Sequence, residues 1–166
     1  SRHEGPGEVT VPAPLGRLPL FVRAGSLVPM LRPTIDSLSP ASDPSVDSFA
    51  NDAGELYVLA SPGQTIEKLP ESFALYDGSE LAHGDLSELL TLYFVAGEVF
   101  TRARFEVIGF GSEPPAEVTA ESEPLEKLAS LADLDAATDG YFLDESARGG
   151  TLHIKIAGDA AVWIYR

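Results

Sequence analysis

The chain is predicted to be all-β, an antiparallel β-sandwich with at most one short helix. Three observations predict it. Short runs alternate apolar and polar residues with a period of two, as a half-buried strand requires. Turn residues interrupt these runs roughly every ten positions. Only one stretch, Pro124 to Leu134, repeats apolar residues at helical steps, through Leu125, Leu128 and Leu131 or Ala132. A polar, turn-rich segment, Gly78–Ser87, splits the chain into similar halves. The expected organisation is therefore two small sandwiches in tandem, a proximal domain over 1–80 and a distal one over 81–166, or else one sandwich with a long appendage.

In chain order, the expectations are these. Glu8 to Ala13 alternates as a strand, confined to an edge by Pro12 and Pro14, which lack the N–H that a ladder needs. Leu18 to Arg23 and Ser26 to Met30 read as two strands joined at Ala24-Gly25, because glycine takes a positive φ without steric penalty. Leu31 to Asn51, rich in Pro, Ser and Asp, is a long loop, expected to be mobile or laid on a surface outside this chain. Glu55 to Ser61 is a strand buried on both faces. Ser72 to Tyr76 is another, ended by Asp77-Gly78. Leu89 to Val95 and Thr101 to Phe110 form a hairpin around Gly97-Glu98, with Ala103, Phe105 and Val107 facing in and Arg102, Arg104 and Glu106 facing out. Glu117 to Ala120 is a short strand. The helix follows, with Pro124 in its first turn beside Glu123 and Glu126. Tyr141 to Asp144 is a strand, and Thr151 to Ile156 pairs with Ala160 to Tyr165 as a closing hairpin around Gly158-Asp159.

Composition limits the function. With 26 acids against 11 bases, the net charge is −15. Such a surface repels phosphate backbones and anionic bilayers, so neither nucleic acid nor membrane is an expected partner. No apolar run approaches the roughly 18 residues of a membrane helix, and a soluble protein is expected. The absence of cysteine excludes disulfides, thiolate nucleophiles and Cys-based zinc sites. The polar start without Met leads one to expect a processed or excised piece.

Candidate chemical sites are weak. Asp77 with Asp85, or Asp144 with Glu145, could be paired for glycoside hydrolysis, yet Asp at turns is explained by local hydrogen bonding. Asp133, Asp135 and Asp139 have the start of a calcium-loop spacing. Ala137, Thr138 and Asp144 then occupy positions that need a ligand, a glycine and a glutamate. Residues 113–145 hold ten acids and one base, Lys127, which reads as a solvated face. His3, His83 and His153 are isolated. Trp163 and Tyr165 share a strand face, with Tyr141 or Phe142 expected nearby, and such rings can stack on the apolar faces of sugars. Arg23, between Phe21 and Gly25, is expected to be partly buried and to hold carbonyls or a carboxylate. No catalytic residue, metal ligand or cofactor is assigned.

One stretch carries a family resemblance. Pro19, Phe21, Arg23, Gly25, Ser26 and Pro29 form a pattern similar to Pro-x-Phe-x-Arg-x-Gly-Ser-x-x-Pro, found in glycoside hydrolase family 31, the α-glucosidase and α-xylosidase family. The preceding residues 11–17 are similar too. Leu56 to Gly63 and Phe73 to Gly78 resemble the next two strands of that region. Phe105 to Gly109, with Pro115 and Val118, resembles the entry to a distal sandwich, and Leu152 to Ile164 its closing hairpin. Where the family often has an acidic cluster after the Leu-Tyr pair, this chain has Asp77-Gly78 alone.

The resemblance implies a non-catalytic C-terminal region that packs against and stabilises a catalytic (β/α)₈ barrel. The family's nucleophile and acid/base are barrel carboxylates. A barrel needs roughly 250 residues, so it would lie outside this chain of 166. The alternative is a free-standing carbohydrate-binding module.

Overall fold

Alternation decides which face each run buries, and the computed structural model, which describes residues 7–16, 20–63 and 72–166, bears out the sandwich. Its strands are β1 (Ser26–Met30), β2 (Leu56–Ser61), β3 (Phe73–Ala74), β4 (Glu80–Asp85), β5 (Leu89–Val95) and β6 (Arg102–Ile108). These are followed by β7 (Glu117–Ala120), β8 (Glu123–Pro124), helix α1 (Leu131–Ala136), β9 (Gly140–Asp144), β10 (Thr151–Ala157) and β11 (Ala160–Tyr165). A first sheet has the order β1-β2-β6-β10-β9, and a second has the order β3-β4-β5-β11-β7-β8. All neighbours are antiparallel except β2 and β6, which run parallel.

The buried core lies between the sheets. The first contributes Val58, Phe105, Val107, Leu152 and Ile154; the second contributes Leu81, Leu92, Phe94, Val162 and Ile164. Each is at most 1% exposed. They are the apolar members of the alternating runs, so period two in the sequence becomes the inner face of a sheet.

Connectivity departs from expectation. The β5–β6 and β10–β11 connections do not close hairpins. Each passes the chain from one sheet to the other, because β5 lies between β4 and β11 while β6 lies between β2 and β10. Strand alternation is the same whichever sheet receives a strand, so adjacency in sequence misled the pairing. The 80/81 boundary also falls inside β4, after its first residue, and both Glu80 and Leu81 pair with β3. Sheet one draws β1 and β2 from one side of it and β6, β9 and β10 from the other, and the core is a single cluster. One sandwich, not two in tandem, is the unit observed among the described residues.

Other elements shift. Glu8–Ala13 and residues 20–23 form no strand, and Leu20 and Phe21 are exposed. Leu18 and Pro19 lie outside the described residues. The polar run after Gly78 is strand β4, held by buried Leu81 and Ala82. The helix begins at Leu131, about two turns later than its apolar period suggested. Ser130 caps it, its hydroxyl accepting from the Asp133 N–H at 3.1 Å. Pro124 instead lies in β8 against β7. Residues 31–54 do form a long loop, but they lie on this chain: Ser48 is buried, and the Phe49 ring sits 6.1 Å from that of Phe100.

Asp77 organises the second sheet's corner. It is buried, and its carboxylate accepts from the N–H groups of Ser79 (3.1 Å), Val99 (3.3 Å) and Phe100 (2.9 Å) and from the Ser79 hydroxyl (2.7 Å). Gly97 must be glycine here, since a Cβ would come within 2.6 Å of the Asp77 carbonyl oxygen. Burial pushes the Asp77 pKa up, but the bonds from Phe100, Ser79 and Val99 together outweigh it and hold it below the usual value.

Two predictions follow from this packing. Phe105→Ala, at a fully buried position, should lower the unfolding free energy by about 3–5 kcal/mol in urea titrations. Asp77, with its lowered folded pKa, stabilises the fold above about pH 4 and loses that contribution as pH falls through the folded value. Asp77→Asn should cost about 2 kcal/mol at pH 7 and flatten the loss of stability measured between pH 5 and 2.

Candidate functional site

The described motif residues, Phe21, Arg23, Gly25, Ser26 and Pro29, lie in and just before edge strand β1. Gly25 has φ +77°, where a side chain would be strained, and its N–H donates to the Ser61 carbonyl at 2.7 Å. Ser26 opens β1 opposite Ser61, and its hydroxyl donates to the Arg23 carbonyl. Pro29 sits opposite Val58 on β1, an edge strand, where the missing N–H interrupts no inner ladder. Phe21 is 65% exposed. Arg23 is exposed rather than partly buried, because no strand forms over 20–23 to cover it. Arg23, Gly25 and Ser26 line a cleft of about 690 Å³ with Gly63, Phe110 and Arg166. The Arg166 guanidinium pairs with buried Asp85 at 2.8 Å and donates to the Leu86 carbonyl at 3.0 Å.

A second cleft, of about 420 Å³, opens on the outer face of the first sheet and was not foreseen. Arg104 and Lys155 lie directly opposite each other on β6 and β10. Two like charges in register repel, so each requires its own acid. Lys155 Nζ meets Glu55 Oε1 at 3.0 Å and donates to the carbonyls of Leu134 (3.3 Å) and Asp135 (2.9 Å) at the end of α1. Arg104 pairs with the Asp135 carboxylate, donates to the Tyr57 hydroxyl at 3.0 Å and lies 5.4 Å from the Tyr57 ring centroid. Burial lowers the Arg104 pKa, but the bonds to Asp135 and Tyr57 outweigh it and the net shift is upward. Arg32 pairs in two places with Asp47 and walls the other side. Arg104 read as outward-facing in sequence, and it is. The face is buried because residues 31–54 and α1 cover it. No signal in the sequence marked the cluster, because the β6–β10 pairing that brings the two cations together is not readable from strand alternation.

The acids singled out in sequence are engaged separately. Asp77 holds its corner, while Asp85 holds Arg166. Asp144 accepts from the Ser146 N–H at 2.9 Å and hydroxyl at 2.7 Å, the local turn chemistry anticipated for it. Asp133 bonds the Ser130 hydroxyl at 2.7 Å and Asp135 turns to Arg104, so the calcium-like spacing does not converge. Among the described residues no three His, Asp or Glu side chains gather as a metal site would require.

His83 and His153 are partly and largely buried, and desolvation lowers both pKa values. The His153 ring stacks on Phe142 at 6.3 Å. His3 lies outside the described residues. Trp163 and Tyr165 share the outer face of the second sheet, as expected. Tyr141 and Phe142 are in β9 of the first sheet and so are not near them, a correction that follows from β10 and β11 parting between sheets. Among the described residues no helix is long and apolar enough to cross a membrane.

No family model and no curated protein matches the chain. Solved structures do. A GH31 dextranase of Flavobacterium johnsoniae, complexed with glucose, superposes with a TM-score of 0.64 at 15% identity, over 95% of this chain and 21% of that one. A cycloalternan-forming enzyme of Listeria monocytogenes, in complex with a pentasaccharide substrate, superposes at 0.60 and 18% identity, over 86% of this chain and 13% of that one. At these identities the likeness is one of fold. The chain thus has the sandwich fold of a small part of much longer glycoside-processing enzymes, and the GH31 dextranase falls in the family that the motif at 19–29 resembles.

The cation cluster is testable. Glu55→Gln removes the counter-charge of a Lys155 whose side chain is 6% exposed. It should destabilise the chain by about 3 kcal/mol in chemical denaturation. Glu55→Gln combined with Lys155→Met should lose less than Glu55→Gln alone.

Proposed function

We propose that this chain is a non-catalytic C-terminal β-sandwich region of a family 31-like glycoside hydrolase. In this reading it packs against and stabilises a catalytic (β/α)₈ barrel that hydrolyses α-glycosidic bonds. The observation that carries the reading is the joint one of motif and coverage. The motif residues resemble this family, and the fold matches 21% of a GH31 dextranase over nearly the whole chain. The exposed segment supports it. Leu15, Leu20 and Phe21 are exposed in the stretch that precedes Arg23, and exposed large apolar side chains suit a contact surface. In this assignment the catalytic carboxylates belong to the barrel, and the acids of this chain are structural.

The test uses the chain alone and joined to its barrel. Alone, it should release no nitrophenol from p-nitrophenyl α-glucoside. In the joined protein, Phe21→Ala with Arg23→Ala should lower the thermal midpoint of the barrel by several degrees and shorten its active half-life, with KM unchanged. In the isolated chain the same pair should shift stability by less than about 0.5 kcal/mol, because both side chains are exposed. Turnover by the isolated chain, or a joined protein indifferent to the pair, would defeat the proposal.

A further inference from the structure

The outer face of the second sheet carries chemistry that the proposed role leaves unused. β11 lies between β5 and β7. Paired residues of an antiparallel ladder point to the same face. Ala161 pairs with Tyr93, Trp163 with Thr91 and Thr119, and Tyr165 with Leu89 and Glu117. The intervening Val162 and Ile164 are fully buried in the core, so this set points away from it. β4 adds Ala82 beside Tyr93 and Gly84 beside Thr91. Trp163 and Tyr165 thus stand a two-residue step apart on β11, about 7 Å, and Tyr93 lies diagonally across from Trp163 on β5, about 7–8 Å away. Tyr93 has the small neighbours Ala82 and Ala161.

Three features distinguish this face from ordinary packing. First, the rings are accessible: Tyr93 and Trp163 are half-buried, and Tyr165 is 41% exposed. Second, their polar ends are unengaged. Among the described residues, neither Tyr hydroxyl nor the Trp163 N–H has a hydrogen-bond partner, and the three rings make no ring contact. Third, Thr119, directly across from Trp163, is only 7% exposed, and its hydroxyl has no partner among the described residues. A buried hydroxyl without a partner beside an accessible indole is costly unless something else bonds it. The charge at the edge is negative, from Glu117 and from Glu121, which accepts the Ala161 N–H at 2.6 Å.

We propose that this face is a stacking platform for a neutral oligosaccharide. Pyranose rings present apolar C–H faces, which suit aromatic planes in a row. Their hydroxyls suit the donors and acceptors around the rings: the indole N–H, the Tyr hydroxyls and the Glu117 carboxylate. The negative edge disfavours phosphorylated or uronic-acid glycans. Gly84 keeps the platform low, since a Cβ there would meet the Thr91 hydroxyl at 2.8 Å. The inference is independent of how the chain packs on a barrel.

The 166-residue chain has a single tryptophan, Trp163, so its emission reports this face alone. It should be titrated with maltopentaose, isomaltopentaose, cellopentaose and, as a charged control, a pentagalacturonate. The expected result is a saturable emission change with at least one neutral sugar and none with the charged one. Tyr93→Ala and Tyr165→Ala should each weaken that binding at least about tenfold while keeping the wild-type melting curve. Tyr76→Ala, at an exposed site outside the row, should leave it unchanged. Calorimetry with Trp163→Ala gives a second readout, expected to show no binding. The proposal is overturned if no neutral sugar binds up to about 10 mM, if the Tyr93 and Tyr165 variants bind as wild type does, or if sedimentation shows the face buried in a dimer of this chain.

Discussion

Arg104 and Lys155 face each other across β6 and β10 on a surface that a sandwich ordinarily leaves to water. Two desolvated cations in register are tolerable only if each is answered locally. Glu55 answers Lys155 from the residue before β2, and Asp135 answers Arg104 from α1. The same lysine ties down the carbonyls that end α1, whose six residues would not hold a helix in isolation. The only helix among the described residues is therefore placed by charge as much as by its buried Leu134. The parallel pairing of β2 with β6 brings Tyr57 beside Arg104 and completes the arrangement.

This constraint explains why the loop of residues 31–54 is ordered by its own chain. A stretch without regular structure must still satisfy its polar groups. Here Arg32 reaches Asp47 within the loop, the Asp36 N–H donates to the Asp47 carbonyl at 2.8 Å, and the Ser48 hydroxyl donates to the Ser39 carbonyl at 2.8 Å. Ser and Asp, which read as loop composition, are the residues that close these short rings. Phe49 then plugs the loop into the core beside Phe100. Its charged wall shields Arg104 and Lys155 from water, which strengthens the pairs beneath it.

Much of the core was legible because burial has a period. Val107, Ile154 and Val162 could be assigned inward from alternation alone. Pairing was not legible. The turn at Gly158-Asp159 suits a hairpin, but the strands on either side bury opposed faces of one core, so the turn bridges two sheets. There the Gly158 N–H donates to the Thr101 carbonyl at 2.9 Å and Asp159 accepts the Ala96 N–H at 2.7 Å. These contacts join distant positions and leave no local trace. The cation cluster was hidden for the same reason: Glu55, Arg104, Asp135 and Lys155 are unremarkable one by one. The motif segment failed differently. Residues 20–23 have strand alternation, but no neighbouring strand pairs with them in the described chain.

The two outer faces and the exposed segment before β1 therefore have distinct chemistries. The first sheet's outer face is closed by the chain's own loop and helix, and its charges are consumed internally. The second sheet's outer face keeps accessible rings whose polar ends have no partner among the described residues. The segment before β1 is exposed while carrying Leu15, Leu20 and Phe21. A chain with net charge −15 has acids enough to make every surface polar. That apolar side chains remain on two surfaces, while buried cations are neutralised on the third, argues that the two were left free for contact. One is extended and irregular, suited to being covered by protein; the other is flat and aromatic, suited to a ligand with flat apolar faces of its own.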